Sequence, residues 1–225
     1  MLAGKRRRHG HGRPRAGSEN RAQVDNQSSP LVIRAALADT EVGIALTGSG
    51  SVRIQDTEIT GGTIGVQATG DGTTTLVDTR VVDAKEIGVR FSGTMRASLE
   101  RLSVSKATRI GVATVAQAAT TITGGSVTST GEAGLVWAED ATGTVTDMAV
   151  RGPVIAVQIG GSASVRLSGV VADAAETVAL LASGKSSGEV TGLTCGPGKD
   201  AGAVVLAEST TVRLVDSPTC KEYRR

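Results

Sequence analysis

The side chains that could carry chemistry in this 225-residue chain are few and scattered. Its two cysteines, Cys195 and Cys220, each follow a threonine and stand 25 residues apart. Both histidines, His9 and His11, lie near the N terminus in a basic segment. Acid–base catalysis needs titratable groups held within hydrogen-bond reach of one substrate atom. Because the sequence shows no such cluster, we expect no catalytic residues, no metal site and no cofactor. The pattern favours a protein that is not an enzyme and leaves an enzyme open as an alternative.

Two carboxylates and an arginine recur at nearly one interval, as Asp56, Asp78 and Arg101. If successive turns of the chain stack at that interval, the three side chains share a column. One interpretation is a weak cation site, because carboxylate oxygens bind hard cations. The other, which we favour, is a ladder of turn residues closed by a surface salt bridge.

That interval belongs to a repeat that must position all of these side chains. In each repeat, apolar residues alternate with small or polar ones, which is the period of a β-strand. A second alternating segment follows ten to twelve residues later, and a third apolar point five residues further on. The repeated phrase occurs at Val42-Gly43-Ile44, Ile64-Gly65-Val66, Ile87-Gly88-Val89, Ile110-Gly111-Val112, Ala133-Gly134-Leu135, Ile155-Ala156-Val157, Val178-Ala179-Leu180 and Ala201-Gly202-Ala203.

Strands that recur in parallel at a fixed interval stack as a coil. The predicted fold is therefore all-β: a single-stranded right-handed parallel β-helix of about eight rungs, each of 22–23 residues with three short strands. The repeated phrase resembles the parallel β-helix repeat of pectate-lyase-like proteins over residues 42–217. We predict a disordered basic tail at 1–29, a partial first rung at 30–41, the β-helix at 42–220 and a charged C-terminal tail at 221–225.

The aromatic content fits a narrow coil. The chain has one Phe, one Tyr and one Trp, although 39% of its residues are hydrophobic. Columns of Val, Ile, Leu and Ala fill such an interior, and Phe91 and Trp137 fall at inward positions, so we predict both as core residues. A sugar-stacking platform is the alternative for these two rings. With Tyr223 in the C-terminal tail, no exposed aromatic platform is expected.

The charge of the chain divides unevenly along its length. Six Lys and Arg residues precede the first acid, Glu19, whereas residues 17–225 carry 18 basic and 22 acidic side chains. We expect the basic tail to be a disordered, solvent-exposed arm. We expect neither a nucleic-acid partner nor a membrane span. Because no first strand is apparent before Leu31, the array is predicted to start in mid-rung and to offer an open end for self-association.

Cys195 and Cys220 are separated by about one rung plus a turn residue. Side chains stacked in adjacent rungs lie near the separation that a disulfide needs. A bridge would stabilise the last rung by about 3 kcal/mol on the chain-entropy model; two buried thiols are the alternative. A disulfide would imply an oxidising compartment, so we expect an extracellular or cell-surface protein, although no signal peptide is apparent.

The outward positions of the first strands are smooth and nearly uncharged. We place the glycine of each repeated phrase on this face, with Gln67, Arg90 and Gln158 as its only long polar side chains. The pectate-lyase-like resemblance implies a polysaccharide laid along such a face. The threonines of the second strands, interrupted by Arg166 and Glu189, indicate exposed strand residues in preference to an ice-binding array.

The leading hypothesis is therefore a non-catalytic extracytoplasmic module that contacts a polysaccharide or cell-surface glycan through Gln67, Arg90 and Gln158. A structural or self-assembling scaffold is the first alternative. A divergent polysaccharide lyase or epimerase is the second, because such sites are assembled across rungs.

Overall fold

The computed structural model describes residues 22–25, 31–33, 36–38, 41–128, 130–173, 178–196 and 202–225, with the backbone alone for the first two ranges. Every regular element in these ranges is a β-strand. In this part of the chain no helix has the length and apolar character to cross a membrane. The all-β prediction is confirmed.

The strands are numbered in chain order. They are β1 (Ala22–Asp25), β2 (Leu31–Ile33), β3 (Ala36–Ala38), β4 (Val42–Gly48), β5 (Ser51–Thr60), β6 (Ile64–Gly70), β7 (Thr73–Val82), β8 (Ile87–Gly93), β9 (Arg96–Ser105), β10 (Ile110–Thr114), β11 (Ala119–Thr128), β12 (Ala133–Trp137), β13 (Thr142–Thr146), β14 (Ala149–Arg151), β15 (Ile155–Ile159), β16 (Ser164–Ser168), β17 (Val171–Asp173), β18 (Val178–Ala182), β19 (Ser187–Thr191), β20 (Thr194–Cys195), β21 (Ala203–Leu206), β22 (Thr211–Val215) and β23 (Lys221–Arg224).

These strands pair in parallel and form two sheets. The ten-stranded sheet has the order β1-β4-β6-β8-β10-β12-β15-β18-β21-β23, and the thirteen-stranded sheet follows β2-β5-β7-β9-β11-β13-β16-β19-β22 with the short strands beside it. Equivalent residues of adjacent coils pair with each other, as Leu76 does with Leu99 and Leu99 with Ile122. The molecule is therefore a parallel β-helix, as predicted.

Columns of aliphatic side chains fill the coil interior. In the ten-stranded sheet every member of one inward column is at most 1% exposed; its members are Ile44, Val66, Val89, Val112, Leu135, Val157, Leu180 and Val204. The predicted third apolar points, from Ile59 to Cys195, are also buried. Burial of this aliphatic surface is the main favourable term in folding.

Both aromatic rings of the coil interior are buried, and the Trp137 ring packs against a glycine. Phe91 and Trp137 are 0% and 1% exposed, which confirms that they are core residues. The indole of Trp137 packs against Gly143, where an added Cβ would lie 2.6 Å from Cε2. The same indole donates a hydrogen bond from Nε1 to Oγ1 of Thr120 at 2.9 Å, so its polar atom is satisfied in the core.

The second and third strands of the early coils are less separate than predicted. In β5, β7, β9 and β11 they form one continuous ten-residue strand that turns at a residue in the left-handed region. This corner repeats along the molecule with φ between 47° and 65°, at Asp56, Asp78, Arg101, Gly124, Asp147, Gly169, Gly192 and Asp216. Asp and Gly tolerate this conformation better than other residues, which explains why they predominate in the column.

The β-helix extends beyond its predicted bounds at both ends. Ala22–Asp25, inside the predicted tail, forms β1 and pairs with β4, so the first described coil does have a first strand. Lys221–Arg224, predicted as a charged tail, forms β23 and pairs with β21. Charged residues at the inward register positions of β23 hide the apolar alternation by which strands are recognised. Residues 1–21 lie outside the described residues.

The glycine column of the first strands is buried, not outward as predicted. The pairing of adjacent coils omits these glycines, linking Ile64 to Ile87 and Val66 to Val89. A Cβ added to Gly65 would contact Cγ1 of the interior Val81 and lie 2.6 Å from the carbonyl oxygen of Gly88. Because the strand bends at this position, strict alternation fails there, and both Gly65 and Val66 face the interior.

Candidate functional site

One outward column runs along the ten-stranded sheet and is called the Gln67 column. Its register pairs link Gln67 to Arg90 and, further along, Gln158 to Leu181. With about 4.8 Å between adjacent strands, Gln67 and Arg90 are immediate neighbours, and Gln158 lies three coils, about 14 Å, beyond Arg90. The described side chains of the column are, in order, Ala45, Gln67, Arg90, Ala113, Val136, Gln158, Leu181, Val205 and Tyr223.

The three predicted contact residues differ from their neighbours in exposure. Gln67, Arg90 and Gln158 are partly exposed, whereas Ala113 and Val136 between them are only 3% and 9% exposed. Within the described ranges, none of the three side chains makes a hydrogen bond or ion pair. Their polar groups are therefore available to a ligand lying along the coil axis, above a floor of small and aliphatic side chains.

Tyr223 closes this column at its C-terminal end. It stands in register with Val205 on β23 and is 48% exposed. The expectation that no exposed aromatic platform exists is therefore wrong, because the predicted tail is a strand that places this ring on the outward face. An exposed aromatic ring at the end of a polar column is a surface on which a sugar ring can stack.

The disulfide fixes the strand that carries Tyr223. Cys195 and Cys220 are bonded, with a Cα–Cα distance of 5.3 Å, as the sequence predicted. The backbone N–H of Cys195 also donates to Oγ1 of Thr219 at 2.9 Å. Because β23 begins immediately after Cys220, the bridge ties the residue that precedes β23 to Cys195 in the preceding coil.

The column of Asp56, Asp78 and Arg101 is a ladder of turn residues closed by a surface salt bridge, which is the interpretation that we favoured from the sequence. Nε and Nη2 of Arg101 donate to the two carboxylate oxygens of Asp78, each at 2.7 Å. This hydrogen bonding lowers the pKa of Asp78 and raises the pKa of Arg101. Carboxylate oxygens committed to a guanidinium are poorly suited to cation binding, so this column does not support a cation site.

A second exposed pair bridges coils at another corner. Nε and Nη2 of Arg109 donate to the carboxylate of Glu132 at 2.9 and 3.2 Å. These hydrogen bonds lower the pKa of Glu132 and raise the pKa of Arg109. Such solvent-exposed pairs contribute little to stability at neutral pH, and we assign them no role in binding.

The described residues do not assemble a metal-ligand cluster. Among them, no group of three or more His, Cys, Asp or Glu side chains is placed to hold a metal ion. Both histidines, His9 and His11, lie outside the described residues.

A feature that sequence reasoning missed lies on the outward face of the thirteen-stranded sheet. A groove of about 500 Å³ runs across β11, β13, β16, β19 and β22, with Arg166, Glu189 and Arg213 along it. The sequence identified Arg166 and Glu189 only as interruptions of a threonine-rich face. Their spacing of 23 residues shows that they share a column, but alternation does not reveal the depression that they line.

Neither a search of curated proteins nor a search of solved structures found a match. A scan of protein families found one that fits the parallel β-helix architecture described above. The matching segment, residues 13–148, covers more than half of the chain. The chain therefore belongs to the NosD family, which is described as periplasmic copper-binding protein.

Proposed function

We propose that this protein is a non-catalytic extracytoplasmic β-helix module that binds a polysaccharide or a cell-surface glycan along the Gln67 column. The observation that carries the proposal is the arrangement of Gln67, Arg90, Gln158 and Tyr223 in one outward column. The amide and guanidinium groups can hydrogen-bond to sugar hydroxyls, and the phenol ring can stack on a sugar face. From Gln67 to Tyr223 the column spans seven coil spacings, about 34 Å.

The location outside the cytoplasm is supported by two findings. The family is described as periplasmic, and Cys195 is bonded to Cys220. Disulfides persist in oxidising compartments and are rare in the cytosol. Secretion to the cell surface, where glycans are abundant, is part of the proposal.

Copper binding, which the family description includes, is not carried over to the described residues. The soft ligands that copper prefers are Cys, Met and His. Cys195 and Cys220 are joined to each other, and Met95 and Met148 are only 3% and 1% exposed in the core. The donor set of the described residues therefore does not fit a copper site.

A glycan array followed by calorimetry on the glycans that bind tests the proposal. We expect Arg90→Ala and Tyr223→Ala each to weaken binding about tenfold, because each removes a direct contact. Arg80→Ala is the matched control, since Arg80 is exposed on the third-strand face. No binding above background, or equal affinities for Arg90→Ala, Tyr223→Ala and the parent protein, would contradict the proposal.

A scaffold function, the alternative, is favoured by the residue types at the N-terminal end. Val24 stands in register with Leu46, and Leu31 with Val52, so residues of core type continue the interior columns into the first described coil. The opposite end differs, because Glu222 and Arg224 are in register with buried Val204 and Leu206. They form an ion pair at 2.7 Å over the end of the core, and such charges oppose pairing with another apolar coil.

This asymmetry gives the scaffold alternative its own test. Association through the N-terminal coil alone would produce closed dimers and not filaments, since the charges of β23 oppose pairing at the other end. Size-exclusion chromatography with light scattering at increasing concentration measures this directly. A dimer would favour the scaffold, whereas a monomer at all concentrations would remove its support.

A further inference from the structure

The groove on the thirteen-stranded sheet is a second polar surface, on the other sheet from the Gln67 column. We call it the Arg166 groove and define it by Thr121, Thr144, Arg166, Glu189 and Arg213, which line it. A smaller recess of about 210 Å³ adjoins it and shares Thr144, Arg166 and Glu189. Register pairs place Arg166, Glu189 and Arg213 in one column on successive coils. The groove therefore presents the charges positive, negative, positive along the coil axis.

Two glycines lie in the wall beneath the groove. Gly143 and Gly188 occupy positions that are inward in neighbouring coils, as Val165 and Val212 show by their burial at 1% exposure. At Gly143 the space is taken by the Trp137 ring, and at Gly188 an added Cβ would meet the carbonyl oxygen of Val165. Neither position places a side chain beneath the sheet, and both glycines line the groove.

The guanidinium groups of the two groove arginines are available to a ligand, whereas several other arginines of this molecule form ion pairs. Arg101, Arg109 and Arg151 each pair with a carboxylate one coil away, at 2.7, 2.9 and 3.4 Å. Glu189 is likewise one coil from both Arg166 and Arg213, yet in the described part of the chain neither arginine lies within 4.0 Å of a carboxylate. All three groove side chains are exposed to solvent.

We propose that the Arg166 groove binds an acidic polysaccharide that carries its acid groups on alternate sugars. Arg166 and Arg213 are two coils apart, about 9.6 Å, which is close to the length of two sugars in an extended chain. A guanidinium binds a carboxylate or sulfate through two parallel hydrogen bonds. Glu189, between them, accepts hydrogen bonds from the hydroxyls of the intervening sugar and repels an acid group placed there.

The threonines complete the contacts of this site. Thr121 and Thr144 are exposed, and they continue the Arg166 column in the two preceding coils. Their hydroxyls can donate to or accept from sugar hydroxyls without adding charge. Residues 17–225 carry a net charge of −4, but at physiological salt this repulsion is screened beyond about 8 Å, so the local arginines determine binding.

Binding to three soluble polymers tests the proposal: hyaluronan oligosaccharides with one carboxylate per disaccharide, polygalacturonate with one per sugar, and dextran with none. We expect the full chain to bind hyaluronan more tightly than polygalacturonate and not to bind dextran in this groove. Arg166→Ala and Arg213→Ala should each weaken hyaluronan binding about tenfold, the usual effect of losing a charge-assisted hydrogen bond. Glu189→Gln should abolish the preference for hyaluronan by strengthening binding of polygalacturonate.

The controls separate this site from the Gln67 column. Arg80→Ala should leave hyaluronan affinity unchanged, and circular dichroism verifies that every variant is folded. The proposal is overturned if hyaluronan does not bind, if Arg166→Ala and Arg213→Ala bind it as the parent does, or if Glu189→Gln keeps the original preference. Loss of hyaluronan binding in Arg90→Ala alone would instead assign the acidic polymer to the Gln67 column.

Discussion

Gly88→Ala provides a demanding test of how the coils pack. At this position the added Cβ would contact Cγ1 of Val104 and lie 2.6 Å from the carbonyl oxygen of Gly111 in the next coil. Val104 is 0% exposed, and the carbonyl belongs to a paired strand, so neither neighbour has free space to move into. The backbone of Gly88 is not in the left-handed region, so steric overlap is the reason for glycine here.

Two opposing effects determine the size of the change. Replacing Gly by Ala at a compatible backbone position stabilises a protein by about 0.4–1 kcal/mol, because the unfolded chain loses entropy. Overpacking a close-packed interior costs about 1–3 kcal/mol. We therefore expect Gly88→Ala to lower the free energy of unfolding by about 1–2 kcal/mol.

The same column supplies a matched control. At Gly202 an added Cβ would lie 3.4 Å from the carbonyl oxygen of Thr219 and 3.9 Å from Cβ of Cys195, both ordinary contacts. Gly202→Ala should consequently be neutral or stabilising by up to about 1 kcal/mol. Ala156, buried at 0% exposure, already occupies this column in another coil.

Urea unfolding of the two variants, monitored by circular dichroism, measures both effects. A shift in midpoint at constant slope reports a change in stability. If Gly88→Ala were as stable as the parent, or if Gly202→Ala lost as much as Gly88→Ala, the inward placement of the glycine column would be refuted.

Three further perturbations test other parts of the fold. Replacing both Cys195 and Cys220 with Ser should lower the free energy of unfolding by about 3 kcal/mol, measured by urea unfolding. If the variant were as stable as the parent, the bridge would not restrict the unfolded chain. Trp137→Phe removes the hydrogen bond to Thr120 and part of the ring packed on Gly143, so it should cost about 2 kcal/mol in the same assay; a neutral result would contradict this core arrangement. The pKa values of Asp78 and Glu132 are lowered in the folded state. The two carboxylates therefore stabilise the folded state above the ordinary carboxyl pKa of about 4. This stabilisation is lost as the pH falls through their lowered pKa values. The double variant Asp78→Asn, Glu132→Gln should therefore lose less stability between pH 5 and pH 2 than the parent, and an identical pH dependence would contradict those shifts.

The sequence was sufficient for the fold because the alternation and the 22–23-residue period act together. Inward columns such as Ile54, Leu76 and Leu99 are visible as every second residue of each strand, and their burial follows from the stacking of coils. The disulfide was predictable for the same reason, since one rung separates its cysteines.

Three features escaped prediction because each depends on contacts between coils. The glycine column turns inward where the strand bends, and no periodicity marks that bend. β23 carries Glu222 and Arg224 at inward register positions, so the apolar alternation that indicates a strand is absent there. The Arg166 groove is lined by residues of five strands from successive coils, and its shape follows from their placement and not from a periodic pattern.

The central claim is that a glycan lies along the Gln67 column and reaches Tyr223. Because the chain contains a single tyrosine, selective ¹³C labelling of tyrosine gives one set of ring signals in an NMR spectrum. On titration with the glycan bound most tightly in the array, we predict that these signals shift saturably, and that the shift requires at least tenfold more glycan in Arg90→Ala. Ring signals that stay unchanged while the glycan binds would contradict the account.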